Sequence, residues 1–263
     1  MKTLLVTLLL LLGLKAHATD FSQYEKHQYA NADIVQNQSL PYRMLMPDNF
    51  DAKKKYPLIL MLHGAGERGD DNIAQLTHGA EMFLTEQFRS TYPAIIVFPQ
   101  AAKDDYWVNV DVKRDTRPIE FTFKVDAAKT PSMQLLLGLV EELSNTPYID
   151  SDKMAVMGLS MGAMGTYDII STLPGTFKAA VPICGGGHPD LVNTMDLSAP
   201  VWAFHGELDD VVAVAESKKM VNAINAAGGN AKLTIYPDVK HNSWDNAFAE
   251  ANLLPWVFSH LKN

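Results

Sequence analysis

A serine, a histidine and a carboxylate occur in this sequence in a pattern that could support nucleophilic catalysis. Residues 158–162 read GLSMG, a G-x-S-x-G pentapeptide between an apolar run and an amphipathic stretch. Glycines are needed there because the chain turns so sharply from strand to helix that larger side chains would clash. Such a turn exposes the hydroxyl of Ser160 at the start of the helix. We therefore predict that Ser160 is a nucleophile.

A serine hydroxyl needs a histidine, itself held by a carboxylate, to remove its proton. In this strand-turn-helix setting the chain order is serine, acid, histidine. The apolar run 201–204 leads into a loop with Glu207, Asp209 and Asp210, and His241 follows the next strand. Glu207 comes too soon after the strand, and Asp210 is better placed to cap backbone N–H groups or to face solvent. We assign the acid to Asp209 and the base to His241.

The other histidines fit the base role less well. His188 follows three glycines and could line the site, but it precedes the acid and breaks the chain order. His63 and His205 each precede a glycine at a strand end, where a structural role in the turn is the better interpretation. Trp107 and Trp244 could stack a ring or a sugar, although tryptophans are as often core residues. The predicted substrate contacts are His188, Trp107 and Trp244.

A hydrolase also needs preorganised donors for the negative charge that develops on the carbonyl oxygen. One should be the backbone N–H of Met161, and the other should come from the loop 63–66, where we choose Ala65. The same loop reads GAGERG over 64–69, which also matches the G-x-G-x-x-G of a dinucleotide-binding turn. No convincing helix opens at 68–72 and no strand ending in an acid follows about 20 residues on, so that alternative is disfavoured.

The predicted chemistry requires no cofactor and no metal. The sequence has no H-E-x-x-H motif and no cysteine pair, and its histidines are dispersed among loops. Acidic pairs such as Asp104 and Asp105 could bind calcium, but surface acids need no such explanation. The single cysteine, Cys184, cannot form an intramolecular disulfide, and its apolar surroundings are typical of an inert buried thiol.

Buried strands alternate with amphipathic helices, which predicts a mostly parallel sheet with helices on both faces. Alternation over 28–35 and 42–46 predicts an antiparallel hairpin at the N-terminal edge. The stretch 103–131 lacks periodicity, and a cover over the site and a plain surface excursion remain equal alternatives. The predicted strands are Pro57–Leu62, Ala94–Phe98, Met154–Met157, Ala179–Ile183, Val201–Phe204 and Leu233–Tyr236, and the predicted helices are Met133–Ser144, Met161–Thr172, Ala215–Ala227 and Asn246–His260.

The 263-residue length suits one catalytic domain, which we place at 19–263. Residues 1–18 combine Lys2, an apolar run over 4–14 and the tripeptide Ala-His-Ala, the pattern of a cleaved signal peptide. The apolar run is too short to span a bilayer, so we expect an exported protein, periplasmic or secreted, without a stable membrane anchor. A net charge of −8 argues against nucleic-acid binding.

Four segments make the chain resemble a known group of enzymes. They are LHGAGERG at 62–69, GLSMG at 158–162, VPICGGG at 181–187 and HNSW at 241–244. The chain is similar, over essentially its whole length after the leader, to exported esterases related to dienelactone hydrolases, polyhydroxybutyrate depolymerases and feruloyl or acetylxylan esterases. One departure is Ala163, which stands where the group usually has a second glycine.

The resemblance implies an α/β-hydrolase fold and a serine carboxylic ester hydrolase that acts through an acyl-enzyme. The group's motifs indicate mechanism better than substrate. We expect short or aromatic-acyl esters of the feruloyl or acetyl type, either small molecules or groups linked to a polysaccharide, because Trp107 and Trp244 of an exported esterase could stack a ring or a sugar. Group members are also labelled peptidases, and esters and peptides share a tetrahedral intermediate, so a serine peptidase stays open. A catalytically silent binding protein is the third alternative, and a complete triad in the correct order argues against it. The implied site comprises the triad Ser160, Asp209 and His241 and the oxyanion hole Ala65 and Met161.

Overall fold

The computed structural model describes residues 19–262, so the predicted signal peptide lies outside the described residues. The strands are β1 Tyr24–Tyr29, β2 Leu40–Leu45, β3 Tyr56–Leu62, β4 Ile95–Pro99, β5 Val110–Lys113, β6 Glu120–Phe123, β7 Ile149–Leu159, β8 Phe177–Ile183, β9 Val201–Gly206 and β10 Ala231–Tyr236. The helices are α1 Glu86–Thr91, α2 Pro131–Ser144, α3 Met161–Thr172, α4 Val214–Ala226, α5 Trp244–Phe248 and α6 Leu253–His260. None of the helices within 19–262 is long and apolar enough to cross a membrane.

Eight strands form one sheet in the order β1-β2-β4-β3-β7-β8-β9-β10. The pairs β1–β2 and β2–β4 are antiparallel, and every later pair is parallel. The central strands have near-continuous apolar sequences because a parallel strand is buried on both faces. The α/β-hydrolase fold class with an antiparallel N-terminal edge is confirmed.

Helices cover both faces of the sheet, each over its own hydrophobic core. Leu136 of α2, Tyr167 of α3 and Met220 of α4 belong to one core cluster. Phe88 of α1 and Val257 of α6 belong to the other. The carboxyl ends of the parallel strands therefore emerge together at one edge, between two layers of helices that hold them in place.

Two predicted elements need correction. The first strand is Tyr24–Tyr29 and not 28–35, because the chain turns after Asn31, whose carbonyl accepts N–H groups three and four residues on. The predicted helix 246–260 is wrong: α5 ends at Phe248 and α6 begins at Leu253. Pro255 cannot donate the backbone hydrogen bond that a continuous helix would require, but it fits the first turn of a new one.

The stretch 103–131 contains structure that its sequence did not indicate. Strands β5 and β6 form an antiparallel hairpin apart from the main sheet. Val108 packs with Met164 of α3 and with Val212 in a small apolar cluster, and Ile119 N–H donates to the carbonyl of Val211 at 2.9 Å. The hairpin is therefore anchored to the loop after β9.

Candidate active site

Ser160 occupies a strained turn between β7 and α3. Its backbone has φ 52° and ψ −114°, a left-handed φ that non-glycine residues avoid. A Cβ on Gly162 would lie 2.0 Å from the carbonyl oxygen of Leu62, and one on Gly158 would lie 2.2 Å from that of Gly162. Only hydrogen fits at those two positions. The Ser160 N–H donates to the carbonyl of Ile183 at 2.8 Å, which ties the turn to the sheet.

The structure brings Ser160, His241 and Asp209 into one hydrogen-bonded chain. Nε2 of His241 lies 3.0 Å from Oγ of Ser160, and Nδ1 lies 2.7 Å from Oδ2 of Asp209. A carboxylate only accepts, so Nδ1 carries the proton and Nε2 is left to accept from the serine hydroxyl. The three side chains follow β7, β9 and β10, whose carboxyl ends lie at the same edge of the sheet.

Asp209 is 6% exposed and all of its acceptor capacity is used. Oδ1 accepts from the N–H groups of Val211 and Val212 at 2.8 and 2.9 Å. Oδ2 lies 2.7 Å from His241 and 3.1 Å from His205. Burial alone would raise the pKa of Asp209, but hydrogen bonds from His205, His241 and Val211 and the charge of His241 hold it well below its usual range. The carboxylate therefore stays ionised at neutral pH.

Of the three acids in this loop, only Asp209 contacts His241. Glu207 and Asp210 are exposed, and the carboxylate of Asp210 lies 4.0 Å from the ammonium of Lys240. Of the two roles predicted for Asp210, it faces solvent, and the capping role belongs to Asp209, whose Oδ1 accepts from the two backbone N–H groups.

His205 is a residue of the site that sequence reasoning missed. It was assigned a structural role in the turn, but its fully buried ring lies against Oδ2 of Asp209. Its four-residue spacing from Asp209 across a tight turn was the available signal. That spacing alone does not distinguish a contact from a coincidence.

A buried histidine holds the loop after β3 beside Ser160. His63 Nε2 accepts the N–H of Ala101 at 3.0 Å, so the proton is on Nδ1, which donates to the carbonyl of Gly64 at 2.6 Å. Burial lowers the pKa of His63 to about 4, so the ring is neutral. A Cβ on Gly64 would lie 3.6 Å from Cβ of Ser160. The loop is therefore fixed against the serine.

The two predicted oxyanion donors are both unengaged. Ala65 begins the short turn Ala65–Glu67, and Met161 is the first residue of α3. Within residues 19–262 neither backbone N–H donates a hydrogen bond. Backbone N–H groups beside a nucleophile are available to a bound oxygen when no protein acceptor occupies them.

Trp107 was predicted to contact substrate, and that prediction is wrong. The side chain is fully buried, so it has no surface on which a ligand could stack. Its indole N–H donates to the carbonyl of His63 at 3.1 Å. A Cβ on Gly165 of α3 would lie 2.7 Å from Cβ of Trp107. The residue instead supports the loop that carries Ala65.

The other two predicted substrate contacts are His188 and Trp244, and they differ in their contacts with the triad. His188 precedes the short helix Pro189–Asn193 and accepts the N–H of Asp190 at 3.2 Å, and no hydrogen bond joins it to the triad in the described part of the chain. Trp244 is half-buried and lies edge-on to His241, with ring centroids 5.4 Å apart. Trp244 is thus beside the site, and its contact with substrate stays a prediction.

The buried thiol of Cys184 also lies near the triad. Its Sγ and single atoms of Asp209 and His241 all fall within 4.8 Å of one another. The carboxylate and imidazole of that group already bond to each other. Burial raises the pKa of the Cys184 thiol, as does the nearby charge of Asp209. The sulfur is therefore protonated and a poor nucleophile.

Three proteins are similar to this chain over most of its length. A solved thermostable esterase is 27% identical and superposes with a TM-score of 0.79, covering 90% of this chain and 63% of its own. An acyl-protein thioesterase 1 from Debaryomyces hansenii is 24% identical over 76% of this chain and 90% of its own length. A bifunctional acetylxylan esterase/xylanase from Neocallimastix patriciarum is 23% identical over 73% of this chain, which spans 23% of that protein.

A family comparison agrees with these similarities. The model of the dienelactone hydrolase family matches residues 103–252, more than half of the chain. The matched segment includes the serine turn and the loops that carry the acid and the histidine. The resemblance seen in the sequence motifs is confirmed, and the chain belongs to the dienelactone hydrolase family.

Proposed function

We propose that this protein is a serine carboxylic ester hydrolase that acts through an acyl-enzyme. The observation that carries the proposal is the unbroken chain from Ser160 Oγ to His241, at 3.0 Å, and from His241 to the buried carboxylate of Asp209, at 2.7 Å. A nucleophile, a base and an orienting acid in hydrogen-bond contact are the arrangement that acyl transfer requires.

In the proposed mechanism each group has one step. Ser160 Oγ attacks the ester carbonyl while Nε2 of His241 accepts its proton, and Asp209 holds the imidazole in the required tautomer and stabilises the imidazolium. The N–H groups of Ala65 and Met161 receive the charge on the carbonyl oxygen. The imidazolium then protonates the departing alcohol. A water that His241 deprotonates releases the acid and restores the serine.

We propose short or aromatic-acyl esters, of the feruloyl or acetyl type, as the substrate class. One of the similar proteins is named an acetylxylan esterase, which supports the acetyl group. Trp244 beside His241 offers an apolar surface to an acyl or aromatic group. The rival substrate class is the peptide bond, which the same triad could cleave.

An active-site probe and a substrate panel test the proposal. A fluorophosphonate should label the wild type covalently and fail to label Ser160→Ala, while Ser259→Ala, which removes an exposed serine of α6, should label like the wild type. Equal labelling of Ser160→Ala and wild type, with both folded by circular dichroism, would refute the serine mechanism. Faster turnover of a peptide amide than of p-nitrophenyl acetate or methyl ferulate would identify a peptidase.

We also propose that the protein is exported, on the evidence of Lys2 and the apolar run over 4–14. N-terminal sequencing of protein recovered outside the cytoplasm should begin at Thr19. A recovered chain that still begins at Met1 would contradict the proposal.

A further inference from the structure

A second buried histidine is bonded to the carboxylate of the proposed triad. His205 ends β9 with a fully buried ring, and its two ring nitrogens face three oxygen-bearing groups. Nε2 lies 3.1 Å from Oδ2 of Asp209 and 2.9 Å from the carbonyl oxygen of Val212. Nδ1 lies 2.7 Å from Oγ of Ser217.

The hydroxyl of Ser217 decides which atom holds the proton between it and His205. Ser217 lies on α4, and its Oγ is 2.9 Å from the carbonyl oxygen of Gly185. A carbonyl oxygen can only accept and a serine has one hydroxyl proton, so the hydrogen bond to Gly185 forms only when Ser217 donates there. Nδ1 of His205 must then donate to the lone pair of Ser217.

The other ring nitrogen meets acceptors only. A carboxylate and a backbone carbonyl both lack protons to give, so Nε2 of His205 must also donate. A neutral imidazole has one N–H, and either tautomer would leave two lone pairs opposed in a site that water does not reach. An unmade hydrogen bond of that kind is costly, whereas an imidazolium satisfies every partner and pairs with the charge of Asp209.

We propose that the His205 ring is an imidazolium that positions the Asp209 carboxylate. The ring contacts Oδ2, the same carboxylate oxygen that His241 contacts. The inference rests on the proposed function, since it assigns His205 a supporting role in that reaction. The other titratable groups nearby are the buried thiol of Cys184 after β8 and the ion pair of Glu216 with Lys219 on α4, joined at 2.9 Å. Neither supplies an acceptor to the ring.

The proposed charge has a consequence for the base. Asp209 would shield two imidazolium groups at once whenever His241 is protonated, and like charges this close disfavour the second one. Removing the charge on His205 should move the acid limb of the kcat/KM profile to higher pH by about one unit.

Nitrogen NMR of the full chain, labelled with ¹⁵N-histidine, reads the charge directly. Both ring nitrogens of His205 should show protonated shifts from pH 5.5 to 8.5, and the resonances are assigned by their loss in His205→Gln. If that variant does not fold, the shift change in Ser217→Ala assigns them. An unprotonated Nδ1 signal at pH 7.5 would overturn the proposal. The NMR result tests the charge on His205 even if the protein hydrolyses no ester. In that case the proposed function fails and the proposal for His205 is still tested.

The matched kinetic test removes one hydroxyl. Ser217→Ala takes away the acceptor of Nδ1 while it leaves the contact between His205 and Asp209, so the ring should lose its charge and the acid limb should rise by about one pH unit. Ser171→Ala removes another buried hydroxyl, which bonds within α3, and should leave the limb unchanged. A loss of kcat in Ser217→Ala with no movement of the limb would indicate a structural role only and refute the inference.

Discussion

Replacement of Asp209 by asparagine should reverse the proton on His241 while it leaves the fold in place. The oxygen at the Oδ1 position faces two backbone N–H groups, those of Val211 and Val212, so the asparagine amide keeps its oxygen there. Its NH₂ group then takes the Oδ2 position, 2.7 Å from Nδ1 of His241 and 3.1 Å from Nε2 of His205. Nε2 of His205 keeps the carbonyl of Val212 as its acceptor. Nδ1 of His241 must then accept, which moves the imidazole proton to Nε2. A protonated Nε2 can no longer receive the proton of Ser160.

The magnitude follows from this reversal of donor and acceptor. In the serine-protease template the same exchange costs about 10⁴ in kcat. Esters are easier substrates than amides, so we expect a loss of at least about 10² in kcat for Asp209→Asn, with a smaller change in KM. The assay is steady-state hydrolysis of p-nitrophenyl acetate, together with the size of the acyl-enzyme burst.

Asp210→Asn is the matched control for Asp209→Asn. It makes the same chemical change one residue away, on an exposed carboxylate 4.0 Å from Lys240, and should cost less than about tenfold in kcat. Collapse of kcat in Asp210→Asn together with survival in Asp209→Asn would show that the acid is misassigned. Circular dichroism of both variants separates lost chemistry from lost structure.

Three further predictions concern the architecture that holds the site. Gly162→Ala should yield no soluble folded protein in an expression trial, because its Cβ would lie 2.0 Å from the carbonyl oxygen of Leu62. Ser160→Gly should unfold in urea with about 1 kcal/mol more stability than Ser160→Ala, since glycine relieves the positive φ, and equal stabilities would contradict stored strain. Lys129→Met should cost about 2 kcal/mol in the same assay by leaving the buried Asp168 carboxylate unpaired, and a change below about 0.5 kcal/mol would refute that pairing.

The arrangement of the triad could be predicted from sequence because each part has a local signature. The glycines at 158 and 162 report a close approach of backbone to backbone, and the turn of Ser160 follows from them. The order of acid and histidine then follows from the parallel strands, whose ends meet at one edge of the sheet. Asp209 was separable from its neighbours by its place in the loop alone.

The roles of His205 and Trp107 depend on contacts that no local pattern records. His205 contacts Asp209 across a turn and contacts Ser217 on a helix that begins nine residues later. Trp107 lies in a stretch without periodicity, so its burial depends on how the hairpin β5–β6 packs against α3. A tryptophan in an irregular segment is as compatible with a ligand contact as with a core, and only the fold separates the two.

Burial divides the proposed site into an inaccessible part and a partly accessible part. Asp209, His205 and His63 are nearly inaccessible and fully bonded, so a substitution at any of them would alter the chemistry or the fold. Trp244 is half-buried beside His241, and the rings of Trp244 and His78 have their centroids 5.0 Å apart. The proposed reaction therefore depends on the buried set, whereas the proposed substrate class depends on half-buried residues such as Trp244.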